Sequence, residues 1–331
     1  MRNLIFEKDI CEKNDADGNN NPSTSYFYTE NSHKTVVDLR QLLKDKINKN
    51  EIFCSFEIVS TKKPSTFYRR LLLDMEEYSP LFYALTWHNE AASDNDSYLP
   101  LDLVENFPLN TLLHLAAKGL KRDEVVYILK KALTFGIINI FALRGDSLSE
   151  NGDFEHAADL VAFIRQRFGD TFCVCVAGYP QMHPESASKE FDLHYLKAKV
   201  EAGADFIITQ ICFESRVLID FVKDCREIGI QIPILPGILA PTNHGCLEKM
   251  IDICRLDVPI DIKDDLARMK DDDQAARKYS VDLITRIITD VIRSGATCGF
   301  HLFTLNRLSL IAEICKHIES VKAENLAEKI F

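Results

Sequence analysis

The sequence of 331 residues contains no run of about 18 uncharged apolar residues, so no membrane-spanning helix is expected. Its first residues, MRNLIFEKDICEK, lack the long apolar segment of a secretory signal peptide. Cationic side chains are outnumbered, because the sequence has 39 Lys and Arg against 50 Asp and Glu and therefore a net charge of −11. Such a chain offers no broad positive surface to phosphates. We therefore expect a cytoplasmic protein that binds neither a membrane nor a nucleic acid.

Several local signatures of enzyme classes are also missing. There is no G-x-G-x-x-G turn, no P-loop, no G-x-S-x-G elbow and no EF-hand spacing of carboxylates. The ten cysteines do not form two pairs at zinc-finger spacing, and Cys173 and Cys175 sit on one face of a probable strand. The sequence therefore predicts no metal site, and it predicts reduced, buried cysteines.

What the sequence does contain is a regular alternation of apolar runs and helical patterns. Several of the runs are almost continuously apolar, as strands covered on both faces should be. Glycine follows the helical patterns at five positions, where it ends helices. The eight predicted strands are Ile52–Ile58, Leu81–Leu85, Thr111–Leu115, Ile137–Leu143, Phe172–Ala177, Phe206–Gln210, Ile232–Leu235 and Thr297–Phe303.

This rhythm predicts the α/β class and a (βα)8 TIM barrel, in a single domain over residues 34–325. Residues 1–33 are polar and predict a short disordered, flexible N-terminal tail. An open doubly wound sheet is the competing fold, but such a fold is expected to have a glycine-rich first turn, which this sequence lacks. The polar, proline-containing segment 90–108 predicts a loop with one short helix, of a length common in lids.

Polar side chains stand at the predicted carboxyl ends of the strands, where a barrel of this kind has its active site. All strands but the seventh, which Pro236-Gly237 is expected to follow, offer such a group. The groups are Glu57, Thr86, His114, Arg144 with Gly145 and Asp146, Tyr179 with His183, Gln210, and Asn306 with Arg307.

Glu57 has apolar neighbours, so its pKa should be raised and it could act as a general acid near neutral pH. A strand-end ion pair with Lys62 or Lys63 is an equal alternative. Arg144-Gly145-Asp146 combines a cation for phosphate, a flexible residue and an anion, although a surface turn has the same composition. His301 fits a core histidine better than a ligand.

These residues, in this order, resemble the catalytic domain of the methylenetetrahydrofolate reductase family, from about residue 50 to residue 320. The motifs resemble those of the eukaryotic branch, in which a regulatory domain follows, and we expect this chain to lack that domain. The stretches that carry the resemblance are SFEIVSTK at 55–62, ALTWH at 84–88, FALRGD at 141–146, VAGYPQMHPES at 176–186, AGADFIITQICFE at 202–214, ILPGILAPTN at 234–243 and HLFTLNR at 301–307.

The resemblance implies a barrel with FAD at its carboxyl rim. It implies that NADPH or NADH reduces the flavin, which then reduces 5,10-methylenetetrahydrofolate to 5-methyltetrahydrofolate in a ping-pong sequence. Its small-molecule partners would be the folate and the nicotinamide nucleotide, and a homo-oligomer is compatible with it. Two alternatives stay open: a divergent non-catalytic paralogue that binds folate or a partner, and a flavin-free barrel enzyme acting on a phosphorylated substrate.

The resemblance also implies roles for single residues. Glu57 matches the acid that protonates the folate, and Asp146 matches an aspartate beside the flavin. Gln210 and Arg307 match contacts to the folate substrate. The positions matching cofactor contacts are Thr86, Trp87, His114, Arg144, Gly145, Asp146, Ala157, Tyr179, His183, Asp192 and Lys199.

The sequence departs from the family pattern in a few places. Ile58-Val59-Ser60-Thr61 stands where the family usually has Phe-Phe-Pro-Pro, and His156 stands where Tyr is usual. Neither departure removes a group to which the resemblance gives a catalytic role.

Overall fold

Eight parallel strands close into a barrel in the computed structural model, which describes residues 36–86, 100–145 and 151–328. Each strand pairs with its neighbours in chain order, and β8 pairs with β1. The predicted TIM barrel is confirmed, while the predicted tail, residues 1–33, lies outside the described residues. The strands are β1 Phe53–Ile58, β2 Tyr83–Leu85, β3 Thr111–Ala116, β4 Asn139–Leu143, β5 Cys173–Gly178, β6 Phe206–Ile211, β7 Ile234–Ile238 and β8 Gly299–Leu302.

Helices connect the strands and cover the outside of the barrel. The five glycines predicted to end helices all have a positive φ, which L-residues with side chains rarely adopt. The predicted short helix in segment 90–108 is α3. The helices are α1 Leu39–Asn48, α2 Ser65–Glu76, α3 Pro100–Val104, α4 Arg122–Thr134, α5 Ala157–Phe168, α6 Lys189–Glu201, α7 Ser215–Glu227, α8 His244–Cys254, α9 Ile260–Arg268, α10 Asp273–Arg293 and α11 Leu308–Glu328.

The strand register shows which side chains face the barrel interior. The rings of Phe82 and Phe206 lie 6.0 Å apart, although Phe82 precedes β2 and Phe206 begins β6, so both point inward across the barrel. Residues that pair across neighbouring strands share a face. Following the pairs from Phe82 places Glu57, His114 and His301 on this inward face as well. A carboxyl group and two imidazole rings therefore point into the barrel.

The seventh strand shows the largest difference between a predicted strand end and the observed one. The prediction ended it at Leu235, with Pro236-Gly237 following, but β7 continues to Ile238 and contains both residues. The register between β6 and β7 shifts between Ile208 and Ile211, so the ladder is interrupted opposite Pro236. A proline fits there because its missing N–H is not needed at a bulge.

The first helix is attached at the amino end of the barrel. The side-chain amide of Asn139, the first residue of β4, accepts a hydrogen bond from Leu39 N (3.0 Å) and donates one to Val37 O (2.9 Å). Leu39 and Leu43 of α1 are fully buried. Leu39 N and Val37 O, which have no partner within the helix, thus have the Asn139 side chain as their hydrogen-bond partner.

Two further sequence predictions concern cysteines and membrane spans. Nine cysteines lie in the described part of the chain, and all nine are buried and unpaired by disulfides, as predicted. In the same part of the chain, none of the helices has the length and apolar character needed to cross a bilayer.

Candidate active site

Glu57 lies near the carboxyl end of β1, with its side chain on the inward face of the barrel. The residue is 3% exposed, and no described residue offers a hydrogen bond to its Oε2. Burial raises the pKa of Glu57 to about 8, and no nearby charge contributes to this shift. The carboxyl group therefore holds its proton at neutral pH. An ion pair with Lys62 or Lys63, the alternative left open by the sequence, would have lowered the pKa instead.

The main chain around Glu57 is bonded to both neighbouring strands. Towards β2, Ser60 N donates to Thr86 Oγ1 and Ser60 Oγ donates to Thr86 O, both at 2.9 Å. Towards β8, Thr304 Oγ1 donates to Glu57 O at 2.6 Å. The family's usual proline at position 60 could not donate the first of these bonds, because proline has no N–H. The carboxyl end of β1 is thus bonded to both neighbouring strands, and its bonds to β2 use a serine where the family pattern has proline.

His301 lies on the same inward face as Glu57, one strand away. Its Nδ1 lies 2.9 Å from Ser55 Oγ, and its ring stacks on Phe82 with centroids 6.1 Å apart. Burial lowers the pKa of His301 to about 3, so the ring is neutral at pH 7. His301 is buried, as the prediction of a core histidine expects, but its Nε2 has no hydrogen-bond partner among the described residues.

A second group of predicted residues comes together after β4 and β5. Arg144 forms an ion pair with Glu185 at 2.8 Å, and Glu185 N donates to His183 Nδ1 at 3.1 Å. The rings of His183 and Tyr179 meet edge to face, with centroids 4.6 Å apart. Burial lowers the pKa of His183 to about 4, so this ring is a neutral hydrogen-bonding group at pH 7. The segment around Arg144 is therefore held to the loop after β5.

Lys199 and Asp192 of α6 extend this group. The Lys199 ammonium donates to Ala177 O at 2.5 Å and lies 5.8 Å from the centre of the Tyr179 ring. Burial lowers the pKa of Lys199 to about 8, although Asp192 opposes the shift. Asp192 Oδ1 accepts a bond from Ser186 Oγ at 3.3 Å, and burial raises the pKa of Asp192. Lys199 is near the end of α6, and its long side chain reaches back to β5.

Gly145 and Ala157 have positions set by the backbone. Gly145 has a φ of 85°, and a Cβ there would lie 2.8 Å from the Cβ of Ala116. A side chain at 145 would therefore be strained and would collide with β3. Ala157 is the first residue of α5, and its neighbour His156 has its ring 6.0 Å from that of Tyr195 on α6. The start of α5 thus lies beside the middle of α6.

The remaining predicted residues lie around the barrel mouth. His114 of β3 is buried with its ring 4.8 Å from that of Phe141. Gln210 is 9% exposed, and its Oε1 accepts a bond from Ile211 N. Arg307 Nη1 donates to Thr242 Oγ1 at 2.7 Å, which joins the segments that follow β7 and β8. Trp87 and Asp146, two further predicted site residues, lie outside the described residues.

Sequence reasoning missed the side chains that hold Glu57 in place. Asn306 was expected only as a strand-end residue, and Thr304 and Ser60 had no role. Their partners lie 26 to 247 residues away along the chain. The only signal in the sequence was the polar character of the segments SFEIVST and TLNR at strand ends, and this character does not identify the partners.

Comparisons with known proteins identify the family of the chain. The family model described as methylenetetrahydrofolate reductase matches residues 42–319. The chain is 34% identical over 307 residues to methylenetetrahydrofolate reductase 2 of Schizosaccharomyces pombe, with 85% of this chain and 47% of the relative covered. It is 34% identical over 249 residues to methylenetetrahydrofolate reductase (NADH) 1 of Arabidopsis thaliana, with 69% and 41% covered.

The chain thus spans less than half the length of these relatives. Among solved structures, an uncharacterized protein from Clostridium thermocellum that binds two copies of 5-methyl-5,6,7,8-tetrahydrofolic acid has a similar fold. Its TM-score is 0.61 at 14% identity, and the match covers 85% of this chain and 99% of that one. The match of the family model over most of the barrel decides the assignment: this chain belongs to the methylenetetrahydrofolate reductase family.

Proposed function

We propose that this chain is a flavin-dependent reductase that converts 5,10-methylenetetrahydrofolate to 5-methyltetrahydrofolate with NADPH or NADH, with Glu57 as the general acid. The observation that carries the proposal is the Glu57 carboxyl group, buried on the inward face near the carboxyl end of β1 with an unbonded Oε2 among the described residues. Such an atom is costly to bury unless a ligand uses it. Family membership gives the class of substrate.

Glu57 is suited to donate a proton at neutral pH. With a pKa of about 8, its carboxyl group is mostly protonated at pH 7 and still gives up the proton readily. In the proposed reaction, the proton leaves the Glu57 carboxyl for a ring nitrogen of the folate as the methylene bridge opens. Gln210 and Arg307 would hold the substrate, with Arg307 kept in place by Thr242.

The group after β4 and β5 fits a dinucleotide cofactor. Arg144 and Lys199 supply cations for a diphosphate, His183 supplies a neutral hydrogen-bonding ring, and Asp192 supplies a carboxylate for ribose hydroxyls. Thr86, Trp87, His114, Gly145, Ala157, Tyr179 and Asp146 complete the proposed contacts to FAD. The chemistry that bound FAD supplies is hydride transfer between the nicotinamide and the folate.

The proposal is tested by separating the two halves of the reaction. We expect the purified chain to show flavin absorbance, to lose it when NADPH or NADH is added without oxygen, and to regain it when 5,10-methylenetetrahydrofolate follows. In Glu57→Gln the nicotinamide half should persist and the folate half should be lost. Menadione serves as the control oxidant, because it accepts electrons without needing a proton from Glu57.

A colourless protein that FAD cannot reconstitute would contradict the proposal. If that protein still bound folate, it would fit the non-catalytic paralogue instead. Binding of a sugar phosphate near Arg144 without flavin would fit the third alternative.

A further inference from the structure

The hydrogen-bonded ladder between β1 and β8 stops just before Glu57. The last main-chain pair in register is Phe56 with Leu302. Leu305 and Asn306 have φ values of 50° and 57°, the left-handed region that residues with side chains seldom adopt. Two adjacent residues in this region mark a tight turn that something must hold in place.

Side chains of this turn continue the ladder in place of main chain. Thr304 Oγ1 donates to Glu57 O at 2.6 Å and accepts from Asn306 N at 3.0 Å. The Asn306 amide then bonds both main-chain atoms of Val59: Val59 N donates to Oδ1 at 2.9 Å, and Nδ2 donates to Val59 O at 2.8 Å. Glu57 therefore has bonded main chain on the β8 side both at its own carbonyl and two residues later.

We propose that Asn306 is a positioning residue for the general acid: its amide fixes the end of β1 so that the Glu57 carboxyl stays inside the dry interior of the barrel. This inference rests on the proposed function and deepens it. Asn306 does not bond the carboxyl group itself, so it acts through the Val59 main chain. Asparagine suits the task because it tolerates the left-handed region better than other residues with amide or carboxyl groups of greater length.

The same turn joins the acid to the proposed folate contact. Arg307 follows Asn306 directly, Arg307 N donates to Thr304 O at 2.8 Å, and the guanidinium group bonds Thr242. The segment 304–307 thus bonds the main chain that carries Glu57 and also contains Arg307, the proposed folate contact. A shift of that segment would move both at once, and proximity effects in catalysis are sensitive to shifts of about 1 Å.

Few charged groups could set the protonation of Glu57 apart from its burial. Among the described residues, the titratable side chains on the inward face of the barrel include His301 of the neighbouring β8, and His114 of β3 and Cys175 of β5 farther round; Arg307 follows β8. His301 is neutral at pH 7, and no described charge contributes to the raised pKa of Glu57. The protonation of Glu57 therefore depends on water being kept away, which is what a fixed strand end provides.

The decisive experiment titrates Glu57 directly. The infrared band of the protonated carboxyl group, identified by its loss in Glu57→Gln, is followed against pH in the holoenzyme and in Asn306→Gly. Glycine keeps the turn's left-handed backbone and removes only the amide. We expect the half-protonation point to fall by about one pH unit, which is a tenfold change in the proton equilibrium. At pH 9, above both values, the protonated fraction of Glu57 should fall about tenfold, and the folate half-reaction should slow by about the same factor relative to the nicotinamide half-reaction.

Asn139→Ala is the matched control. Its amide also bonds a main-chain N and a main-chain O, but at the amino end of the barrel. A purely structural role for Asn306 predicts that both variants lower the melting temperature and that neither moves the Glu57 titration, and this result would overturn the proposal. Asn306→Asp keeps the acceptor for Val59 N, so its Glu57 half-protonation point should lie between those of the wild type and of Asn306→Gly.

The titration does not depend on turnover. If the wild-type protein proved unable to reduce folate, the proposed function would fail while the carboxyl band still reported on Asn306. If folate reduction were normal and the band stayed at the same pH in Asn306→Gly, only the positioning role would fail.

Discussion

The two ends of this barrel treat buried polar groups in opposite ways. At the amino end, the Asn139 amide bonds main-chain atoms on both sides of the start of α1. Arg165 bonds Gly203 O, Phe172 O and the Asp205 carboxylate, with Asp205 also accepting from Val174 N. At the carboxyl end, the Glu57 carboxyl leaves an oxygen without a partner among the described residues. The amino end uses its polar groups for stability, and the carboxyl end keeps one ready for a ligand.

This difference follows from how a parallel barrel is built. The helices return the chain to the amino end, so the segments entering the strands can be bonded permanently without obstructing a substrate. The carboxyl end must stay open, and a group that is to exchange a proton cannot be fully bonded in advance. Variants at each end of the barrel test whether stability and chemistry separate in this way.

The largest effect is expected for Glu57→Gln. The folded pKa of about 8 lies above the ordinary value of 4.5, so the folded state holds a proton that the unfolded state has lost between these pH values. Stability therefore falls as pH rises from 4.5 to 8, by about 4 kcal/mol in all. Glutamine removes this loss, so the variant should be the more stable protein at pH 8 while the folate half-reaction slows by about 100-fold or more. Urea denaturation at pH 5 and pH 8 measures the first effect.

The contrary result is a difference in unfolding free energy between wild type and Glu57→Gln that is the same at pH 5 and at pH 8. It would mean that Glu57 is ionised and bonded like the polar groups at the amino end.

The second effect is expected at the amino end, for Arg165→Met. The Arg165–Asp205 pair is 2.6 Å long, with side chains only 16% and 21% exposed. Removing the guanidinium group leaves a carboxylate and three carbonyl groups with fewer partners, a loss of about 3 kcal/mol in unfolding free energy. The pH dependence of the folate half-reaction should stay unchanged. A shifted pH profile in a variant that remains folded would show that the two ends are coupled.

The contrast between the ends also explains what the sequence could predict. All eight strands were recognisable because strands covered on both faces are almost continuously apolar. Glu57, His114 and Gln210 were recognisable as polar residues ending such runs. The end of β7 was mispredicted because the bulge opposite Pro236 depends on the neighbouring strand.

The bonds that fix these residues were beyond a reading of the sequence. Asn306 and Val59 are 247 residues apart, and Asn139 and Leu39 are 100 apart. Such a pair has no local periodicity and becomes visible only when the barrel closes. Asn306 could be recognised as a residue following β8, but its partner could not.

The third effect concerns His301, which lies in the barrel interior one strand from Glu57. Its folded pKa of about 3 lies below the ordinary 6.5, so at pH 5 the unfolded state is protonated and the folded state is not. Stability should therefore fall by about 2 kcal/mol between pH 7 and 5, the opposite direction to Glu57. In His301→Gln this acid-side loss should vanish, and the difference in unfolding free energy between the two proteins at both pH values measures it.

The smallest effect is expected for Asn139→Ala, which compares the two ends most directly. The variant leaves Leu39 N and Val37 O without their side-chain partner, and burial makes an unbonded main-chain group costly. Because α1 could separate locally and expose both groups to water, we expect a loss of only about 1.5 kcal/mol. Hydrogen exchange should become faster in α1 first, with the strands and the folate half-reaction unaffected. If hydrogen exchange instead became faster around Glu57, the amino end would help to position the acid, and the two ends of the barrel would not have separate roles.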